Sequence, residues 1–206
     1  MTIIAIDGPA ASGKGTLGAR LAGYYGLPHL DTGLIYRAVA AGVLARGHRI
    51  DDAEAAAAVA RGLVASDLCN PALRGREMGE AASVVAAFPA VREALVAFQR
   101  AFAAQPGGAV LDGRDIGTVI CPDADVKLYV TAAAEVRARR RWQELRAHGE
   151  EPVFDAILGD ILRRDGRDAS RASAPLKPAP DARLLDTSEM DIDTAFRAAV
   201  ALVDGA

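Results

Sequence analysis

Gly8, Gly13 and Lys14 stand at the spacing G-x-x-x-x-G-K within "IDGPAASGKGT", residues 6–16, after a short apolar run and before a helix-forming stretch. A glycine-rich turn in that setting points successive backbone N–H groups at an anion, and the helix start behind it adds partial positive charge. The lysine supplies a full charge, so the chemistry on offer is capture of a phosphate chain. One position departs from the usual pattern. Gly15 follows the lysine where Ser or Thr would place a hydroxyl on Mg²⁺. Thr16 offers a hydroxyl one residue later, on a different helical bearing, where it would touch phosphate or a metal-bound water.

Cationic side chains recur at spacings that could meet further anions. In "HLDTGLIYRAVA" Asp31 and Thr32 close an apolar run, and Tyr36 and Arg37 fall one turn into the next helix. Taken alone, Arg37 is a solvated surface residue; beside a phosphate loop it can point at a second phosphate. Arg137, Arg140 and Arg141 share one face of the helix in "AAEVRARRRWQELRAHG". Like charges at that spacing disfavour an isolated helix by about 0.2–0.5 kcal/mol per pair. Glu135 can offset Arg139 and Glu144 can offset Arg140, which leaves Arg137 and Arg141 for an anionic ligand. Downstream, Arg164, Asp168 and Arg171 sit at i, i+4 and i+7, one face if the segment is helical, with Gly166 weakening that helix.

These residues need a scaffold. Five short apolar runs, "TIIAI", "HL", "AVL", "VKLYV" and "ARLL", alternate with helical patterns, the mark of parallel strands joined by crossover helices. The expectation is an α/β protein, a three-layer α/β/α sandwich on a five-stranded parallel sheet. Four of the runs end at or beside a carboxylate or hydroxyl: Asp7, Asp31 with Thr32, Asp112, and Asp186 with Thr187. Ligands of such sheets bind beyond the carboxyl ends of the strands; helix capping explains each residue equally well. Two segments interrupt the alternation. Residues 48–82 read as polar-flanked helices around a weak loop, and residues 142–175 are charged and poor in apolar periodicity.

Composition narrows the function classes. With 206 residues, 51% of them hydrophobic, the chain can bury a core as one domain. Lys+Arg number 24 against 27 Asp+Glu, a net charge of -3, so no global basic field draws nucleic acid or an anionic membrane. The two cysteines, Cys69 and Cys121, fit no metal-ligand spacing. "MTIIAID" has no basic leader pattern, and no stretch approaches the length of a membrane span. A cytoplasmic protein follows as the expectation.

The glycine-following-lysine loop resembles the G-x-x-G-x-G-K-G-T loop of nucleoside monophosphate kinases, with Ala11 where many members carry glycine. "LDTGLIYR", "AASVVAAFPAVREAL" from Ala81, "DGRDIGTVICPDADVKLYVTA" from Asp112 and "RDGRDASRASAPLKPAPDARLLDTS" from Arg164 narrow the resemblance to bacterial cytidylate kinases over most of the chain. That resemblance implies transfer of the γ-phosphoryl group of ATP, with Mg²⁺, to CMP and also to dCMP. It assigns Gly8, Ala11, Ser12, Gly13, Lys14, Gly15 and Thr16 to ATP, with Arg137 and Arg141 as lid residues on its phosphates. Arg37 and Arg114 would clamp the acceptor phosphate and Arg171 would reach the same anion or the base; with Lys14 they form the expected catalytic group. Thr32, Ser83, Arg92 and Asp115 would read cytosine and its surroundings, and Arg164 and Asp168 would hold the ribose. Asp112 either supports Mg²⁺ through water or caps a helix.

By the same resemblance the core comprises about 1–47, 83–136 and 176–206, with a monophosphate-binding insertion at 48–82 and a lid at 137–175. The insertion is shorter than in many members and lacks an alternating strand pattern. Ala169 stands where a further arginine is expected, a contact either missing or taken over by Ser170. The active species is expected to be a monomer with small-molecule partners. Rival readings are a kinase for UMP or AMP, a switch NTPase, and a nucleotide-binding module without chemistry. Gly15 argues against the switch, which ordinarily needs a direct Mg²⁺ hydroxyl.

Overall fold

Alternate residues of the first strand go to opposite sides of the sheet. Ile4 and Ile6 join one apolar cluster and Ala5 another, and all three are fully buried. That double burial is what a central parallel strand requires. In the computed structural model, which describes residues 1–147 and 149–205, and only the backbone of Arg74 and Arg76, five strands form one parallel sheet. They are β1 (Thr2–Asp7), β2 (His29–Asp31), β3 (Gly108–Gly113), β4 (Val126–Thr131) and β5 (Arg183–Asp186), in the order β2-β3-β1-β4-β5.

Helices α1 (Lys14–Tyr25) and α8 (Ile192–Asp204) cover one face, where Leu17, Leu21, Ala199 and Val203 meet Ile4, Ile6, Val110 and Leu128. The other face carries α2 (Thr32–Ala45), α3 (Ala53–Arg61), α4 (Arg76–Val85) and α5 (Pro89–Ala103), whose Ile35, Val39, Val85 and Leu95 pack with Ala5 and Leu111. The three-layer sandwich expected from the alternation is the observed fold. Among the described residues no single helix is long and apolar enough to cross a membrane.

Residues 48–82 fold as α3, two short 3-10 turns (Ala65–Cys69 and Pro71–Arg74) and the start of α4, with Asp52 capping α3 through Ala55 N–H at 2.9 Å. Residues 142–175 differ from their sequence reading. The end of α6 (Ala134–Ala147) and α7 (Phe154–Ala169) pair as a hairpin with its own small core of Ala138, Leu145, Ile157 and Ile161, flanked by Trp142, Phe154 and Leu158. The apolar residues of α7 do follow helical spacing at 154, 157, 158 and 161. Arginines and aspartates crowding the other face conceal the stripe.

The residues at the strand ends divide between capping and the cleft. Asp31 caps α2 by accepting from Gly33 N–H at 2.9 Å, and Asp186 accepts from Ser188 N–H at 2.9 Å. Asp7 accepts from the Ile116 and Gly117 N–H groups at 2.7 and 2.8 Å, tying the end of β1 to the turn after β3. Asp112 instead meets the His29 imidazole.

Candidate functional site

The loop between β1 and α1 is shaped by close approach and by backbone sign. A Cβ on Gly8 would lie 2.0 Å from the Val130 carbonyl oxygen, so no other residue fits there. Gly13 caps α1 at φ 85° with no side-chain cap, which leaves the first-turn amides facing the cleft. Ala11 adopts φ 59°, a left-handed conformation that costs an L-residue about 1 kcal/mol and is natural to glycine. The packing around the loop must hold this strained residue in place. Lys14 is 9% exposed and its Nζ donates to the Pro9 carbonyl at 3.3 Å. Burial first, then the charge of Arg114, pushes its pKa down to about 8.

Opposite this loop lies a cleft of about 1080 Å³ at the carboxyl ends of the strands, where the sheet order changes direction between β1 and its two neighbours. Ala11, Ser12, Gly13, Lys14, Gly15 and Thr16 line it on one side. Thr32, Arg37, Ser83, Arg92, Arg114, Asp115, Arg164, Asp168 and Arg171 line it elsewhere, so residues spread over 140 positions of sequence are brought together. The hydroxyls of Ser12 and Ser83 are buried and find no hydrogen-bond partner among the described residues. Thr32 spends its hydroxyl on the Asp112 carbonyl at 2.8 Å. Asp31 and Asp112 are register partners at the ends of β2 and β3. Burial, followed by the charge of Asp112, raises the pKa of Asp31.

Two buried ion groups organise the polar wall. Arg92 donates to Asp115 with both side chains under 8% exposed, and its guanidinium lies 5.6 Å from the centre of the Tyr36 ring. Asp168 accepts from Arg114 Nε at 2.8 Å and from Arg171, with Arg164 close enough to act by charge. Burial alone would raise the Asp168 pKa, but Arg114 and Arg171 outweigh it and hold it below the ordinary carboxylate value. For Arg171 the balance goes the other way, burial outweighing Asp168 and lowering its pKa. Burial and then Arg114 push Arg164 down to about 10. Arg37 donates to the Leu73 carbonyl at 2.8 Å. Arg37 and Arg164 both approach Gly79 of α4, each 3.5 Å from where a Cβ would stand, which brings the two cations close together. A site this rich in buried positive charge is built for a polyanion.

Two expectations about the lid change, those for Arg137 and Arg140. Arg137, assigned to ATP phosphates, does not line the cleft. It donates to the carbonyls of Ala132 and Ala10 at 2.8 and 3.0 Å and pairs with Asp165 at 2.6 Å, 6% exposed. It braces the phosphate loop against α7, because the first turn of α6 passes directly behind that loop. Arg141 reaches the cleft but pairs with Glu144 at 2.8 Å. Arg140, assigned to Glu144, instead donates to the Thr187 hydroxyl and carbonyl at 3.0 and 2.6 Å and to the Met190 carbonyl at 3.1 Å, at the cleft wall. Helical spacing alone could not separate these arginines, since the loops they meet lie 47 to 127 residues away. Ser170, considered as a stand-in for an arginine at 169, turns back to the Arg167 carbonyl at 3.5 Å.

Replacing Arg137 with methionine should cost about 2–3 kcal/mol, because Asp165 and two carbonyls lose their donor. Thermal unfolding should register this as a fall of several degrees, and nucleotide affinity should weaken although the side chain faces away from the cleft.

Solved structures share the fold. A sugar kinase from Janibacter sp. matches with TM-score 0.52 at 16% identity, covering 99% of this chain and 95% of the other. TT1252 from Thermus thermophilus matches with TM-score 0.51 at 20% identity, covering 99% and 96%. Sequence relatives are far closer. The cytidylate kinase of Xanthobacter autotrophicus is 63% identical over 202 residues, 98% of this chain and 97% of its own length. That of Methylocella silvestris is 62% identical over 204 residues, 99% and 94%. The family model described as cytidylate kinase matches residues 4–204. A phosphate loop, an arginine-lined cleft facing it and identity of this extent along the whole chain lead to one conclusion: the chain belongs to the cytidylate kinase family.

Proposed function

We propose that this nucleoside monophosphate kinase transfers the γ-phosphoryl group of ATP to CMP and dCMP, giving ADP and CDP or dCDP. The observation that carries this reading is the convergence of Lys14 with Arg37, Arg114, Arg164 and Arg171 on one cleft beyond the strand ends. The loop from Gly8 to Thr16 holds the donor phosphates, with Arg141 at the lid side, and Arg37 and Arg114 hold the acceptor phosphate. Arg171 steadies the same region, and Arg164 and Asp168 face the ribose.

Base selection falls to the Arg92–Asp115 pair, the Ser83 hydroxyl and Thr32. Cytosine offers an amino donor beside ring and carbonyl acceptors, which suits a carboxylate flanked by donors. The uncommitted Ser83 oxygen supports a polar ligand at that point.

The acceptor phosphate is already ionised, so the transfer needs no dedicated base. Its requirements are alignment of the two phosphates and neutralisation of the charge spread over the moving group. Lys14 and the arginines provide that charge within a largely buried site, where each hydrogen bond acts more strongly than in water. Closure of the insertion (about 48–82) over the lid (about 137–175) excludes water. The Arg167–Glu80 ion pair at 2.7 Å, joining α7 to α4, supports such a closed arrangement.

Mg²⁺ fits the donor set. Asp31 and Asp112 are hard oxygen donors at adjacent strand ends, and Thr16 adds a hydroxyl in the same cleft. Among the described residues no three His, Cys, Asp or Glu side chains gather as a cage. That composition suits an ion that keeps phosphate and water in its coordination sphere. Bound with ATP, it would offset phosphate charge and hold the chain in one shape.

We take the active species to be a cytoplasmic monomer, the two free cysteines being in keeping with a reducing compartment. ADP release from Mg-ATP with equal concentrations of CMP, dCMP, UMP, AMP or no acceptor tests the whole reading. Turnover confined to CMP and dCMP is expected. Equal use of UMP would transfer the assignment to a broader pyrimidine kinase, and turnover without acceptor would remove it.

A further inference from the structure

The first two turns of α1 pass over β2 and β3 with a glycine at 15 and another at 18. Gly18 lies inside a helix, where alanine would be preferred by roughly 1 kcal/mol. A Cβ there would come within 2.8 Å of His29 Nε2. The helix is therefore bare at the point where the imidazole stands. His29 Nε2 in turn lies 2.8 Å from Asp112 Oδ2, the carboxylate being 3% exposed and the imidazole 21%. From the other side, a Cβ on Gly15 would sit 3.8 and 3.9 Å from the two Asp112 oxygens. Asp112 is thus held between an imidazole behind it and the start of the phosphate loop helix in front.

Period-two alternation puts His29 and Asp31 on one face of β2, and the register pairs Asp31 with Asp112. A carboxylate on a strand end can turn about its own side-chain bonds. A single N–H bond to one oxygen fixes that rotation and leaves the other oxygen for the cleft.

We infer that His29 is a positioning residue for the metal-bound nucleotide: by donating to Asp112 Oδ2 it orients that carboxylate toward a hydrated divalent cation, and Gly18 leaves it the room to do so. The inference rests on the proposed function, since it needs a metal–nucleotide beside the loop. His29 lines the same cleft, and the contact it makes there is with Asp112. Its effect passes through Asp112, as outer partners of metal ligands act.

The test is the affinity of Mn²⁺, read by electron paramagnetic resonance, for the full chain saturated with ADP. His29→Leu is expected to raise the Mn²⁺ Kd about tenfold, His29→Gln to restore most of it by supplying an N–H at the same place, and Gly18→Ala to weaken it by displacing the imidazole. Affinities for metal-free ADP and for CMP are expected to stay unchanged in the folded variants, which a merely structural role would not predict. An unchanged Mn²⁺ Kd in His29→Leu, or an equal loss of metal-free ADP binding, overturns the inference. Phosphoryl transfer by the unaltered chain, measured alongside, distinguishes that failure from failure of the proposed function.

Discussion

Exchanging Lys14 for methionine is expected to lower kcat about 10³-fold, the scale of losing a preorganised donor to a developing charge, and at the same time to raise the thermal midpoint. The two effects share one cause. Lys14 is buried before any nucleotide arrives, beside Arg114, and its pKa is pushed down to about 8 from 10.5 by desolvation and then by that neighbour. Holding it charged at neutral pH therefore costs the fold on the order of 3 kcal/mol. Asp112 and Asp31 offset part of the burden already. Methionine keeps the length of the stem and removes the charge.

The pH dependence fixes the sign. Between pH 8 and 10.5 the unfolded chain keeps the lysine proton and the folded chain has lost it, so the stability of the unaltered protein rises with pH in that window. The variant lacks this rise, and its advantage should be largest at pH 7 and shrink by pH 9. Differential scanning of both proteins at the two pH values checks it. A variant no more stable at pH 7 would show that the buried lysine is already neutralised by the carboxylates. Near-full activity in the variant would remove Lys14 from the mechanism.

Asp168→Ala should act in the opposite direction on stability. Its carboxylate is 2% exposed and accepts from Arg114 and Arg171, with Arg164 nearby. Without it, buried guanidiniums face one another with no counter-charge. Breaking a buried pair in this way typically costs about 3–5 kcal/mol, roughly 10 °C for a chain of this size. A simple anion can replace the missing charge without using the ribose contact, so sulfate should raise the midpoint of Asp168→Ala by more than that of the unaltered chain. Activity should fall as well, because Arg114 loses the partner that orients it. For the unaltered protein the Asp168 contribution is present above its ordinary pKa of 3.8 and is lost as pH falls through its lower folded value. Equal midpoints for the two proteins, or no additional stabilisation by sulfate, would mean that the arginines are already compensated by other groups.

Much of the site was legible because its signals are local. The phosphate loop needs a strand, a glycine turn and a helix start within a dozen residues, and "IDGPAASGKGT" carries all of them. Strand-end chemistry was legible for the same reason, since a parallel sheet places its functional residues where apolar runs stop. Capping against cleft was not decided locally. Asp31 caps α2 and also lines the cleft, while Asp112 turns to an imidazole 83 residues earlier in the chain.

Sequence alone determined the layer architecture, the phosphate loop and the set of arginines available to a polyanion, because apolar periodicity, glycine geometry and charge are properties of short segments. Only the tertiary structure decided which arginine does what. Arg137, Arg140 and Arg141 occupy one stretch of helix and are chemically identical, yet Arg137 braces the loop backbone away from the cleft, Arg140 grips the turn after β5 at the cleft wall, and Arg141 lines the cleft beside Glu144. The role of His29 has the same origin. It depends on the register of β2 against β3 and on a glycine in a helix packed over both, long-range relations that no local pattern encodes.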